Sequence, residues 1–379
     1  MSGNYDCIVI GGGPGGATAA YHLARLGRKV LLLEKAKLPR LKPCGGGVSP
    51  QVAQWLPFDL KPAISTTITR LRFTWAMGSP LEAELGTCIP LWMVRREIFD
   101  QLIVNQAVAL GAELRDATEA TGCHWQSEHW SVDTPAGPLL GRYLIGADGA
   151  LGKTAKALGF SHLKHLPAAA LEGEALCPMT DVHTAHLDFG SVPNGYQWAF
   201  PKADGWSVGS GIFRGKPDGN LRSTFAAYCR SLLLDPERLR PVSHPIKLWD
   251  GDQTLHTQQA LLVGEAACLV DPFTAEGIRP SVLSGCLAAE SVHAALSGKD
   301  RALEDYSRRI QAAWGTEMVW AKRLAQLFYR LPLLSYRLGV QRPGAAQRMA
   351  QLLCGEVRYS EVAHKAIAHL TQGLVGGER

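Results

Sequence analysis

The chain has 379 residues, of which 46% are hydrophobic and 19% charged, and a net charge of +5. That length exceeds one ordinary domain, the balance excludes a disordered chain, and so mild a positive excess gives no footprint for nucleic acid. The nine cysteines are scattered and include no CxxC pair, which argues against a zinc cluster or a disulfide framework and suits small buried thiols in a reducing, cytoplasmic compartment.

Asp6 to Ile10 is a short apolar run, the pattern of a buried parallel strand. It begins so close to the first residue that a secretory leader is not expected. GGGPGG follows at positions 11 to 16, then a helical spacing of Ala17, Ala20, Leu23 and Leu26 that Gly27 ends. Val30 to Leu33 is a second apolar strand, and Glu34 closes it 18 residues after Gly16. Strand, glycine turn, helix, strand and acid in this order predict a dinucleotide-binding βαβ unit. Gly11, Gly13, Gly15 and Gly16, with Pro14 opening the helix, bring backbone N–H groups and the positive helix end to a pyrophosphate. Glu34, followed by Lys35, falls where the adenosine ribose would lie.

Residues 62 to 92 lose the helical period and alternate, as in Ile68 to Phe73, so strands are expected there. Val94 to Leu110 has helical spacing, ended by Gly111. Trp125 to Tyr143 reads as a meander with turn residues at 134 to 138, and Tyr143 to Gly149 as a strand entering an acidic glycine turn. From 165 to 250 the pattern is again strand-like and includes GYQWAFPK at 195 to 202. Ala260 to Val263 is a buried strand leading into GEAACLVDPFTAEGIRP at 264 to 280, and a helix is expected from Pro280 towards Leu296. Beyond about 300 the chain reads as helical, and no run of ~18 apolar residues predicts a spanning helix. The expected fold is α/β (α+β): a Rossmann-like dinucleotide-binding domain, an inserted antiparallel β-sheet domain and a helical tail. The expected boundaries are 1–61, 93–164 and 251–300 for the first, 62–92 and 165–250 for the second, and 301–379 for the tail.

GGGPGG, Glu34, KPCGGG at 42 to 47, RxxFD at 96 to 100, GADG at 146 to 149, YxWxFPK at 196 to 202 and the 264 to 278 segment together resemble the geranylgeranyl reductase family. These are glutathione-reductase-type flavoproteins of the hydroxylase-like branch. KPCGGG and YxWxFPK are the more specific carriers; the glycine turn, GADG and the last segment mark only the branch. The resemblance implies FAD, with Arg96 at its diphosphate or ribose and Asp148 supporting it. It places Cys44, Gly45, Glu265, Asp271, Gly277 and Ile278 along the rest of the cofactor. The family has Gly-Asp where this chain has Gly264-Glu265; either the loop adjusts to the longer side chain or Asp271 shares the role. A helix N-terminus at Gly277 and Ile278 would favour the anionic reduced flavin.

The implied reaction saturates C=C bonds of a geranylgeranyl or related isoprenoid chain by hydride transfer from reduced flavin, with NAD(P)H or a ferredoxin-like carrier as electron donor. A monooxygenase of the hydroxylase branch and a flavin-binding protein without turnover are the alternatives. Tyr196, Trp198 and Phe200 share one face of a strand and suit an apolar slot, or simply the insert's core. Gly46 and Gly47 would let a flat or long substrate approach. Saturation also needs a proton. Cys44 is the candidate donor or positioning group, with Tyr196 and Trp198 beside it as catalytic candidates; the other reading of Cys44 is a plain tight turn. The pairs His162/His165 and His183/His186 lack a carboxylate partner pattern, so no metal site is expected. Between Met318 and Gly355 there are six Lys or Arg residues and no acid, interleaved with leucines. Such a tail either packs on its own domain or lies peripherally on the inner face of an anionic membrane.

Overall fold

The structure, a computed structural model, describes residues 5–86, 90–160, 162–215, 220–342 and 344–364. Its central sheet is built on the strand Tyr5–Ile10, which pairs in parallel with Val30–Leu33 on one side and Leu139–Gly146 on the other. Ala260–Leu262 and Glu113–Arg115 extend the parallel set outwards. All four residues of Val30–Leu33 are buried, as a parallel strand covered on both faces requires. The register aligns Ile10 with Leu33 and Gly146, and Gly146 with Leu262. The segments beginning at Gly11, Glu34, Ala147 and Val263 therefore leave the sheet side by side at its carboxyl edge, where open α/β sheets bind ligands. The meander of Gly122–Gln126, His129–Asp133 and Leu139–Gly146 completes this layer.

Two helices cover the glycine turn. Pro14–Arg25 follows it directly, and Ile278–Leu296 packs against that helix. The expected start at Pro280 comes late: the helix begins at Ile278, which leaves Pro280 in the first turn where its missing N–H is harmless. Helix Arg96–Ala109 lies within the expected span, but Val94 belongs to the strand Leu91–Val94.

A seven-stranded sheet runs in the order Val242–Trp249, His165–Leu176, Gly205–Ile212, Gly195–Lys202, Thr184–Phe189, Arg70–Trp75 and Gly78–Glu84. The stretch expected as strands over 62–92 divides between this sheet and a small one, in which Leu91–Val94 pairs with Ile64–Ile68 and with Gly47–Val48. The end of KPCGGGV is thus a short strand, and not all loop. The tail is helical over Ala302–Ile310, Thr316–Arg330, Pro332–Gly339 and Ala345–Cys354. Among the described residues no helix is long and apolar enough to cross a membrane.

Candidate active site

The glycine turn has the form a pyrophosphate needs. A Cβ on Gly16 would stand 1.9 Å from the Gly11 carbonyl oxygen, and Gly11 itself has φ +110°, so neither position admits a side chain. Gly13 caps helix Pro14–Arg25 without a side-chain hydrogen bond, which leaves the first N–H groups open to a ligand. A Cβ on Gly13 would meet the guanidinium ends of Arg40 at 3.7 Å and Arg96 at 3.9 Å. Two cations therefore flank the positive helix end, and the donor set fits a diphosphate. Gly15 packs the turn onto helix Ile278–Leu296, where its Cβ would lie 3.2 Å from the Ser281 carbonyl oxygen.

Glu34 is buried beneath this turn. Its Oε2 accepts the Gly12 N–H at 2.9 Å and lies 3.2 Å from Arg40 Nε, while Oε1 accepts the Ala36 N–H at 3.0 Å. The carboxylate holds the glycine loop and keeps lone pairs for ribose hydroxyls. Lys35 is exposed beside it. Arg96 is held in a two-pronged pair with Asp100, both bonds being 2.8 Å, and Arg40 reaches the same carboxylate at 3.2 Å. Burial opposes the Arg96 charge, but Asp100 beside it keeps the guanidinium firmly protonated. The Arg96 side chain is only 10% exposed.

Cys44 lies within electrostatic reach of Arg96, which brings the KPCGGG loop beside the nucleotide corner. The Cys44 N–H donates to Glu172 Oε1 at 2.9 Å, and the Cys44 sulfur accepts the Gly46 N–H at 3.4 Å. Gly45 lies against the aromatic strand: its Cβ would stand 2.9 Å from both Trp198 Nε1 and Phe200 Cδ2. A Cβ on Gly47 would be 3.5 Å from Phe200. Tyr196, Trp198 and Phe200 follow one another along one face, with ring centroids 5.9 Å and 6.4 Å apart. Tyr196, expected among the catalytic groups, donates its hydroxyl to the Thr274 carbonyl at 2.6 Å, and burial pushes its pKa up. Its hydroxyl proton is thus engaged within the protein. The Trp198 indole N–H is buried without a partner and faces Gly45.

At the far end the expectations divide. Asp148 caps the helix Thr154–Ala157, accepting the Thr154 N–H at 2.9 Å and hydroxyl at 2.6 Å; its Oδ1 is buried and unpartnered, which leaves one oxygen for a ligand. Asp271, expected to share the work of Glu265, is fully engaged within the protein. It accepts the Phe273 and Thr274 N–H groups at 2.7 Å and 3.1 Å and the Tyr359 hydroxyl at 2.7 Å. Glu265 accepts the Lys247 N–H at 3.2 Å, and burial raises its pKa against the pull of Lys42. Gly277 and Ile278 form the start of the long helix, and Arg279 beside them is tied to Glu276 and Gln51 and stacks 5.0 Å over Trp314.

Several site residues carried no role in the sequence reading. Lys42, Asp100 and Lys202 stand inside the KPCGGG, RxxFD and YxWxFPK patterns as letters alone, and nothing local distinguishes Arg40, Glu172 or His244. The Lys42 pKa is lowered by burial and by Arg96. His244 is held neutral, its pKa pushed down to about 3 by burial with Lys42 and Arg96 nearby. Its Nδ1 is buried and unpartnered. Burial pushes Glu172 up to about 7.

The chain is similar to known flavoproteins. Residues 4–171 match the FAD binding domain family. Digeranylgeranylglycerophospholipid reductase 2 of Methanothermobacter thermautotrophicus is 31% identical over 85% of this chain and 84% of its own. Geranylgeranyl diphosphate reductase of Rhodobacter capsulatus is 28% identical over 98% of each chain. The solved structure of a geranylgeranyl bacteriochlorophyll reductase-like protein from Thermoplasma acidophilum superposes with a TM-score of 0.78 at 21% identity, covering 86% of this chain and 88% of that one. With a glycine turn, paired arginines and buried acid that fit FAD, and full-length likeness to these reductases, the chain belongs to the geranylgeranyl reductase family of FAD-dependent oxidoreductases.

Proposed function

We propose that the protein saturates C=C bonds of a geranylgeranyl or related isoprenoid chain. The observation that carries this is the position of Cys44, which lies within electrostatic reach of Arg96 at the nucleotide corner while its neighbour Gly45 lies against Trp198 and Phe200. Gly11 to Gly16, Glu34, Arg40 and Arg96 would hold the ADP half of FAD, and Glu265, Gly277 and Ile278 the flavin half. Bound FAD supplies the hydride. Cys44 gives the proton to the second carbon of the bond, and the thiolate left behind is stabilised by Arg96 until solvent reprotonates it. Trp198 and Phe200 line the slot for the apolar chain, and the seven-stranded sheet that carries them serves as the substrate domain.

Reducing equivalents come from NAD(P)H or a ferredoxin-like carrier. The tail supports a peripheral membrane position. Phe328 and Tyr336 pack inward on Phe189, which in turn meets Tyr196. Leu327, Leu331, Leu333, Leu334 and Leu338 of the same helices are 41–59% exposed. This apolar face lies in a segment with arginines and no acid, so its charge complements an anionic phospholipid surface.

The test is anaerobic. The flavin is reduced, mixed with a geranylgeranyl lipid and followed by its absorbance. Reoxidation with saturated product is expected. Reoxidation only on admission of oxygen, with a hydroxylated product, would establish the monooxygenase instead, and no reaction in either arm would leave a flavin-binding protein without turnover.

A further inference from the structure

We propose that Glu172 and Lys202 are positioning residues that clasp the 42–47 loop from the seven-stranded sheet and fix where Cys44 stands in the cleft. The catalytic consequence rests on the role of Cys44 proposed above; the clasp itself does not. Both side chains are deep in the protein, with Glu172 4% and Lys202 0% exposed. Ionic groups at such depth cost several kcal/mol unless partnered, so their partners show what they are for.

Those partners are the loop. Lys202 Nζ donates to the Gly45 and Val94 carbonyls, each at 2.8 Å. Val94 in turn donates its N–H to the Gly46 carbonyl at 2.8 Å, so one ammonium closes the seam between loop and strand. Glu172 Oε1 takes the Cys44 N–H at 2.9 Å and is braced by the Ser207 hydroxyl at 3.0 Å. Successive loop residues 44 and 45 are thus each held by a different strand of the other sheet.

The glycines agree. Gly46 has φ +71°, and a Cβ there would come within 2.5 Å of Lys202 Nζ and 2.1 Å of the Val94 carbonyl oxygen. Any side chain at 46 would therefore displace the ammonium. The glycine of KPCGGG and the lysine of YxWxFPK form one device, although Lys202 and Gly45 are 157 positions apart. The sulfur, folded back over the Gly46 N–H, has its direction set by the same geometry.

The test reads the loop directly, by hydrogen exchange of the 42–47 segment and by iodoacetamide labelling of Cys44, in FAD-free and FAD-loaded protein. In the wild type the Cys44 amide is expected to be protected. Glu172→Ala should speed its exchange and Cys44 labelling about ten- to hundredfold, the range for losing a hydrogen bond to a charged group. Glu172→Gln, which keeps an acceptor oxygen, should restore protection, and Lys202→Met should loosen the Gly45 side. In turnover, Glu172→Ala should lower kcat with KM for the prenyl substrate little changed. A wild-type Cys44 amide that exchanges like an unprotected peptide would overturn the clasp, even if no variant folds. Protection unchanged in Glu172→Ala would overturn it equally. Normal turnover by Cys44→Ser, in contrast, would remove the chemical role of the thiol and leave the exchange result standing.

Discussion

Cys44 takes its meaning from atoms remote in the chain. Glu172 fixes its backbone, Gly46 its sulfur and Arg96 the charge it faces. Replacing it with serine keeps the shape but substitutes a far weaker acid. Cys44→Ser should therefore bind FAD and be reduced by dithionite normally, with prenyl-dependent reoxidation slower on the order of 10²- to 10⁴-fold. Stopped-flow flavin absorbance checks this, and a wild-type rate with the same products would make Cys44 part of a turn only. Glu172 gives a second prediction. Burial raises it from the ordinary glutamate value of 4.5 to about 7, so the folded state holds this proton more tightly than the unfolded chain does. Its contribution to stability is complete below the lower value and is lost as pH rises through the upper one. Glu172→Gln does not titrate, so its melting temperature should gain on the wild type as pH is raised across that window. A constant difference between the two would show that Glu172 is not held in this state.

Among the elements, the crossing of helices Pro14–Arg25 and Ile278–Leu296 is the tightest support of the cofactor corner. A Cβ on Gly285 would stand 2.3 Å from the Gly15 carbonyl oxygen, and that oxygen belongs to the first turn after the phosphate loop. Backbone cannot rotate out of the way as a side chain can. Gly285→Ala is expected to destabilise the fold by ~1–3 kcal/mol through overpacking and to weaken FAD retention by shifting the helix end that meets the diphosphate. Denaturant unfolding and flavin release on dilution measure the two effects. Unchanged FAD retention in a stable variant would mean that this crossing does not set the position of the turn.

Over the whole molecule, the tail packs on its own protein through Phe328 and Tyr336 and leaves a leucine face outside. Purified protein is expected to sediment with vesicles rich in anionic phospholipid, less with neutral ones, and less again at high salt. Leu331→Ser with Leu334→Ser should abolish sedimentation. Reversing Arg330 or Arg337 to Glu should weaken it by at least about 1 kcal/mol, roughly fivefold, per arginine. FAD content should stay the same in all of them. Absence of vesicle binding would refute the membrane reading, and a concentration-dependent dimer lost in the leucine variants would assign the face to a second copy.

What the sequence determined alone was whatever depends on neighbours in the chain. The first strand, glycine turn, helix and Glu34 were legible because their spacing is set by backbone geometry within some 30 residues of Tyr5. Helix and strand periods likewise marked Arg96–Ala109, the meander and the helical tail. Tertiary structure alone decided how distant residues share one volume. It divided the 62–92 strands between two sheets, filled both oxygens of Asp271, and gave the Tyr196 hydroxyl to Thr274. It also brought Arg40 to Glu34 and Asp100, and set Glu172 and Lys202 under the cysteine loop. A buried charge has no local signature, because its energy depends on burial and on partners that only the packed chain supplies.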